Sequence, residues 1–288
     1  MQRRSKDSWT VKMREVESVI ELEKVLASRR DSLIAFVPTM GALHAGHAAL
    51  VSVAKELAST IVLSIFVNPL QFGDPSDFTR YPRTLAADCD CAKQWGVDVL
   101  WTPSEEDIYP HGLEIARVGA GELGNKYEGA IRPGHFAGVL TVVSRLLDVV
   151  RPDIAVFGEK DRQQLELIRR MAKGRVEIVG VPIVREADGL ALSSRNRFLS
   201  PAERAQALGI IRAIRSAQKI SDLDHGGVAA VTAVVANVLS AVEVEYSHLV
   251  DAKSWEPVTN DFSGEAILLI AAKVGSVHLI DNGKLRIG

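Results

Sequence analysis

The 288-residue chain has only two cysteines, Cys89 and Cys91, one residue apart in a predicted helix. That spacing excludes a disulfide framework and a four-ligand zinc site. Free thiols of this kind fit a reducing, cytoplasmic setting with packing as their expected role. Surplus charge is also scarce. The 34 Lys and Arg residues nearly balance 36 Asp and Glu, for a formal net charge of −2, so no nucleic-acid or anionic-membrane surface is marked. A polyanionic substrate must therefore be met by local groups. Long hydrophobic runs are missing as well: the most apolar helix candidate, Val228 to Val242, carries Thr232, Asn237 and Ser240 and is too short to cross a bilayer. The opening Met1-Gln2-Arg3-Arg4-Ser5-Lys6-Asp7 has no apolar run behind it, so it lacks the core of a signal peptide and is expected to be a frayed extension. Neither an internal repeat nor a long low-complexity segment occurs.

What is present is an ordinary globular composition, long enough for one large α/β domain or two modest ones. Apolar runs alternate with helical patterns through the first two-thirds, which predicts βαβ units and a parallel sheet. The strand candidates are Leu33 to Val37, Ile61 to Val67, Val97 to Trp101, Ile154 to Phe157 and Ile178 to Val184. A helix follows the Gly- and Pro-rich excursion after the third, with Val139, Val142, Val143, Leu146, Leu147 and Val150 at helical spacing. Within that excursion Gly119-Ala120-Gly121-Glu122-Leu123-Gly124 matches a dinucleotide fingerprint formally, but no helix follows it, so the glycines are read as turn residues. After Arg185 the character shifts. Ser200-Pro201-Ala202-Glu203 is a capping box opening a helix to about Lys219, a joint spans Ser221 to Gly227, and shorter strands follow, including Ala266 to Ala271 and a hairpin turned by Asn282-Gly283. The expected division is residues 1–185 and a smaller α+β domain over 186–288.

Ligands in open parallel sheets bind beyond the carboxyl ends of the strands. The first strand runs through Pro38-Thr39-Met40-Gly41-Ala42-Leu43 into a helix led by His44-Ala45-Gly46-His47, with Leu50, Val51, Ala54, Leu57 and Ala58 on one helical face. Unpaired N–H groups of a first helical turn and two imidazoles three residues apart can form an anion site. Polar capping is the competing reading, and a metal pair a third, although no His-Glu-x-x-His pattern or third ligand is evident. The second strand leads to Asn68-Pro69-Leu70-Gln71, whose amides can read a hydroxyl or carboxylate. The fourth leads to Gly158-Glu159-Lys160-Asp161 and then Gln163-Gln164. Lys160 suits phosphate oxygens, while Asp161 suits a ribose hydroxyl, a helix cap or a magnesium-bound water. The fifth leads to Leu192-Ser193-Ser194-Arg195-Asn196, where two hydroxyls and a guanidinium can hold far phosphates.

These four segments, in this order and over almost the whole chain, closely resemble the pantoate–β-alanine ligase (pantothenate synthetase) family. His44-Ala45-Gly46-His47 is similar to the His-x-Gly-His signature of the wider nucleotidyltransferase superfamily. The resemblance implies a Rossmann-like nucleotidyltransferase domain and a two-step ligation. Pantoate carboxylate attacks the α-phosphorus of ATP to give pantoyl adenylate and pyrophosphate; β-alanine then displaces AMP. It further implies ATP binding by Met40, Gly41, Ala42, Leu43, His44, Ala45, Gly46 and His47, by Gly158, Glu159, Lys160 and Asp161, and by Val184, Leu192, Ser193, Ser194 and Arg195. Within that set His47, His44, Lys160 and Arg195 are expected to be catalytic, and Gln71, Gln164 and Asn68 to bind pantoate and β-alanine. Mg2+ would ride on the phosphates, with no protein cage for a metal. The resemblance also implies a homodimer, with no nucleic-acid or membrane partner. Arg162 stands where the family commonly has an aromatic residue, and Leu192 where it commonly has methionine; neither removes a catalytic group. Arg132 and His135 are read as structural. The rival readings are another adenylyl transferase on the same scaffold and a non-catalytic nucleotide sensor or RNA-binding module.

Overall fold

A computed structural model of the chain describes residues 12–73, 75–113, 117–223 and 227–288. The expected N-terminal extension, and 224–226 of the expected joint, lie outside the described residues.

The first part runs β1 (Arg14–Val16), α1 (Val19–Ala27), β2 (Ile34–Thr39), α2 (Ala45–Leu57), β3 (Thr60–Ile65), α3 (Pro75–Arg80), α4 (Leu85–Trp95) and β4 (Val99–Trp101). It continues with α5 (Glu105–Ile108), α6 (Glu128–Ile131), α7 (His135–Val150), β5 (Ile154–Gly158), α8 (Arg162–Ala172) and β6 (Glu177–Val181). The six strands form one all-parallel sheet in the order β1-β4-β3-β2-β5-β6. Alternation along the strands sends side chains to two cores. Ile34 and Phe36 of β2 face the layer of α1, α7 and α8, while Ala35 and Val37 face α2 and α4. From β2 the chain moves outward through β3 to β4, whereas β5 and β6 lie on the other side. The order thus reverses between β2 and β5, and a crevice opens beyond their carboxyl ends.

The remainder comprises α9 (Pro201–Ser221), α10 (Val228–Val238) and the strands β7 (Glu243–Asp251), β8 (Gly264–Val274) and β9 (Val277–Ile287). These strands form a three-stranded antiparallel sheet. The whole is therefore the expected α/β parallel-sheet unit with a smaller α+β part. Ser200 and Glu203 form the expected reciprocal capping box of α9. One face of β8, through Leu268, Ile270 and Ala272, packs on α9 and α10, and the other, through Ile267 and Leu269, joins the large core of the parallel-sheet unit.

Several local expectations need correction. Leu33 is 53% exposed and precedes β2, and the fifth predicted strand ends at Val181 rather than Val184. Leu57 is 38% exposed and Ala58 is already the extended C-cap of α2. The valine-striped helix stops at Val238. The hairpin turns at Gly275-Ser276, where Gly275 has φ +59°, and not at Asn282-Gly283. Those two residues sit inside β9, paired with Leu269 and Leu268.

Candidate active site

The crevice at the strand-order reversal is lined by Met40 just after β2, by His44, Gly46 and His47 at the start of α2, and by Asn68 and Gln71 from the segment after β3. Gly158, Lys160, Asp161 and Gln164 approach from β5 and α8, and Val184, Leu192, Ser193, Ser194 and Arg195 from the segment beyond β6. Residues of all four sequence segments therefore meet in one cleft. Gly41, Ala42, Leu43, Ala45 and Glu159 are not part of its lining.

The reason lies in how the histidine loop is held. Gly41 at φ +79° and Ala42 at φ +51° turn the chain sharply after β2. The N–H groups of Ala42 and Leu43 then donate to the buried carboxylate of Asp88 on α4, at 3.0 and 2.8 Å. Thr84 Oγ1 donates to the same carboxylate at 3.2 Å. These amides precede the N-cap His44 and are consumed internally, so they hold the loop rather than serve as open anion donors. Asp88 escaped sequence reading because it lies 46 residues away from the loop on an otherwise unremarked helix.

Capping and site-building turn out to be the same arrangement. His44 is the N-cap of α2; its Nδ1 accepts from Gly46 N–H at 3.1 Å, and His47 Nδ1 accepts from His44 N–H at 3.2 Å. A ring nitrogen that accepts carries no proton, so in each neutral ring the proton sits on Nε2. Burial pulls His44 down to about 4, helped by Lys160 and Arg197, and pulls His47 down to about 3, helped by His44. Both rings are thus neutral Nε2–H donors at physiological pH, with centroids 4.1 Å apart.

The amide pair divides its labour unevenly. Asn68 is buried; its Nδ2 donates to Gln71 Oε1 at 3.0 Å and Gly138 O at 3.2 Å, while its Oδ1 accepts from Leu70 N at 3.2 Å and Tyr109 Oη at 2.8 Å. Two donors and two lone pairs are thereby used, leaving Asn68 to orient Gln71 rather than to bind a ligand. Gln71 also lies 3.0 Å from Met40 Sδ through Nε2. Of the consecutive glutamines, Gln164 lines the cleft, whereas Gln163 is buried and ties Glu128 N, Leu123 O and Lys126 O together.

Lys160 stands 3.6 Å from Asp161, and the Glu159 side chain is turned away into ion pairs with Arg162 at 2.9 Å and Lys284 at 3.3 Å. Ser193 caps the short helical turn that carries Arg195, accepting from its N–H at 3.3 Å. Tyr81, which also lines the cleft, bonds to Ser194, and burial raises its pKa. Arg132 and His135 line the cleft too. His135 Nδ1 donates to Gln71 O at 2.8 Å, and Arg132 lies 3.3 Å from His135 Nε2 and 3.4 Å from Gln71 O, so both brace the Gln71 backbone. Burial and then Arg132 lower His135 to about 4. Part of the cleft lining is apolar, built by Val139, Val142 and Val143 of α7. Among the described residues no group of three or more His, Cys, Asp or Glu side chains could hold a metal ion, and Cys89 and Cys91 form no disulfide.

A parallel sheet with a reversal crevice, paired imidazole donors at a helix start and a lysine on the opposite loop define a nucleotide-using α/β enzyme of the His-x-Gly-His type. Comparison with known proteins narrows this class. The Pantoate-beta-alanine ligase family matches residues 12–284. A pantothenate synthetase from Salinispora arenicola is 49% identical over 89% of this chain and 93% of its own length. A pantothenate synthetase crystal structure from Thermus thermophilus superposes with a TM-score of 0.88 at 43% identity, covering 94% of this chain and 99% of that one. A pantoate-beta-alanine ligase from Francisella tularensis, complexed with beta-gamma ATP and beta-alanine, gives a TM-score of 0.77 at 34% identity, covering 94% and 97%. The chain belongs to the pantoate–β-alanine ligase family.

Proposed function

We propose that this cleft carries out the ATP-dependent ligation of pantoate and β-alanine to pantothenate through a pantoyl adenylate, releasing AMP and pyrophosphate. The observation that carries the reading is the convergence of two neutral Nε2–H imidazoles with Lys160 and Arg195 at the β2/β5 reversal.

In-line transfer at phosphorus needs alignment and charge stabilisation more than a protein nucleophile. His44 and His47 donate from Nε2 to phosphate oxygens without adding charge, and Lys160 neutralises the transferring and leaving groups. Arg195, with the Ser193–Ser194 segment, holds the far phosphates; the backbone of Gly158 and Val184 frames the adenosine, with Met40, Gly46, Asp161 and Leu192 beside it. Gly41, Ala42, Leu43, Ala45 and Glu159 act one step back, as shape rather than contact. Gln71 and Gln164 hold the hydroxyls and carboxylate of pantoate against Val139, Val142 and Val143, an apolar wall suited to its two methyl groups. Mg2+ would ride on the ATP phosphates and would add to the charge neutralisation that Lys160 and Arg195 supply.

In this reading residues 1–185 form the unit that binds ATP and pantoate, and 186–288 the unit that covers it. The protein works in the cytoplasm as a homodimer. The free Cys89 and Cys91 thiols support the first of these placements, and a molar mass near twice 31.2 kDa in light scattering tests the second.

The decisive test is pantoate-dependent exchange of label between pyrophosphate and ATP, which β-alanine is not required to start. Lys160→Ala and His47→Ala are expected to lower it by about 10²–10³-fold each while remaining folded, the scale of losing one donor at a developing charge. Parent-level exchange in either variant, or no exchange with pantoate in the parent, overturns the assignment.

A further inference from the structure

Asn282, which a turn reading of Asn-Gly would leave on the surface, is buried in the middle of β9 and points its carboxamide at the Lys160 turn. Its Nδ2 donates one hydrogen to Glu159 O at 2.9 Å and the other to Lys160 O at 3.0 Å. Few side chains can do this. The task is to give two hydrogens to two successive carbonyls from one short, neutral group: aspartate has none to give at neutral pH, and a lysine or arginine would bring a buried charge beside the phosphate site. The preceding residue works on the segment beyond β6. Asp281 takes both terminal nitrogens of Arg185 at 2.6 and 3.0 Å, in the paired geometry that is strongest for guanidinium and carboxylate. Arg185 is bridged to Ala191, and Leu192 N–H donates to Val184 O at 3.0 Å, so this contact fixes the base of the segment bearing Ser193, Ser194 and Arg195.

We propose that Asn282 is a positioning residue for Lys160, and that the Asp281-Asn282 pair lets the C-terminal sheet set Lys160 in register with Arg195 across the triphosphate site. Lys160 depends on such support. Among the described residues its own side chain is paired only with the half-exposed Asp161, and the turn is otherwise anchored by Glu159 N–H to Val181 O at 2.8 Å and by the Glu159 ion pairs. The inference rests on the phosphate-binding role given to Lys160 above.

The test is a double-mutant cycle read by single-turnover formation of pyrophosphate from ATP and pantoate. Asn282→Ala is expected to slow that step about 10–100-fold, the scale of displacing a reacting group by about an ångström. The KM for pantoate stays near the parent value, because Gln71 and Gln164 hang on other elements. In a Lys160→Ala background the same substitution is expected to have little further effect. Asn282→Ser keeps one donor, is expected to give an intermediate loss, and decides the matter if the alanine variant does not fold. A parent rate in folded Asn282→Ala or Asn282→Ser overturns the proposal, as does an undiminished loss in the Lys160→Ala background. Failure of the underlying reading is distinguishable, since Lys160→Ala alone would then keep the parent rate.

Discussion

His47 Nδ1 accepts the backbone N–H of His44 while His44 Nδ1 accepts that of Gly46, so each ring is locked with its Nε2–H free. The arrangement has the reciprocal logic of a Ser/Glu capping box, with imidazoles replacing the hydroxyl and the carboxylate.

Both rings are therefore expected to show the Nε2–H tautomer in long-range proton–nitrogen NMR from about pH 8 down to about pH 5, with titration midpoints near the low values that burial imposes. The sign for stability follows. Because both folded values lie below 6.5, the unfolded chain takes up these protons first, so their stabilisation is present above pH 6.5 and declines on acidification toward about 4 and about 3. Midpoints near 6.5 would contradict the buried, neutral assignment.

Removing Asp88 strands one buried and one half-buried amide at once. Asp88→Ala is expected to cost about 3 kcal/mol in urea unfolding, by losing charge-assisted bonds and leaving Ala42 and Leu43 N–H without partners. Asn at the same position can still accept one of them and should lose less. Equal stability of all three proteins would show that the loop is held by other means.

Gly138 tests the placement of Gln71. A Cβ on Gly138 would sit 2.0 Å from Leu70 O and 2.9 Å from Gln71 N, so the α7 backbone and the Gln71 turn touch directly. Gly138→Ala is expected to raise the KM for pantoate by about tenfold or more while changing that for ATP little, since the displaced segment carries Gln71 and not the histidine loop. An ATP defect of equal size would place the strain elsewhere.

The junction between the two parts titrates. His278 on β9 donates from Nε2 to Glu128 Oε1 at 2.9 Å and contacts Glu245 through Nδ1, and Tyr246 Oη donates to Glu128 Oε2 at 3.2 Å. Burial lowers His278, but Glu128 and Glu245 more than offset it and its pKa is raised. Burial raises Glu128, but His278, Arg132 and His135 carry it down to about 2. The His278 contribution is thus complete below pH 6.5 and lost as pH rises through its folded value, while that of Glu128 is complete above 4.5 and lost toward about 2. His278→Gln is expected to be most destabilising, relative to the parent, between those two limits, and less so at about pH 9 in denaturant titrations. A difference independent of pH would rule out a charged His278.

The cleft was largely legible because a parallel sheet brings the ends of its strands together, so short polar segments after successive apolar runs become neighbours. Met40, Lys160, Gln164 and Arg195 could be read in this way. What stayed hidden was the support. Asp88, Asn282 and Glu128 act over separations of 46, 123 and 150 residues, and no local pattern marks a carboxylate or amide as facing a distant backbone or, for Glu128, a distant imidazole. Asn282-Gly283 is the instructive failure: a dipeptide favoured in hairpin turns is extended here, because burying the amide against two carbonyls outweighs the turn preference. Strand β7 is a different case: Val242-Glu243-Val244-Glu245-Tyr246 alternates as a strand does, but most of β7 is exposed and the alternation marks no buried face.

The central strand of the small sheet has a consequence for modularity. Ile267 and Leu269 are filed in one core and Leu268 and Ile270 in the other, so a single stretch of β8 is shared property of both halves. A fragment ending near residue 185 would leave the layer around α7 and α8 facing water where Ile267 and Leu269 should lie, and swapping in the C-terminal half of a distant relative would have to match both surfaces at once. Recombination between homologues is therefore expected to succeed at the exposed loops of the parallel-sheet unit and to fail at the apparent domain boundary.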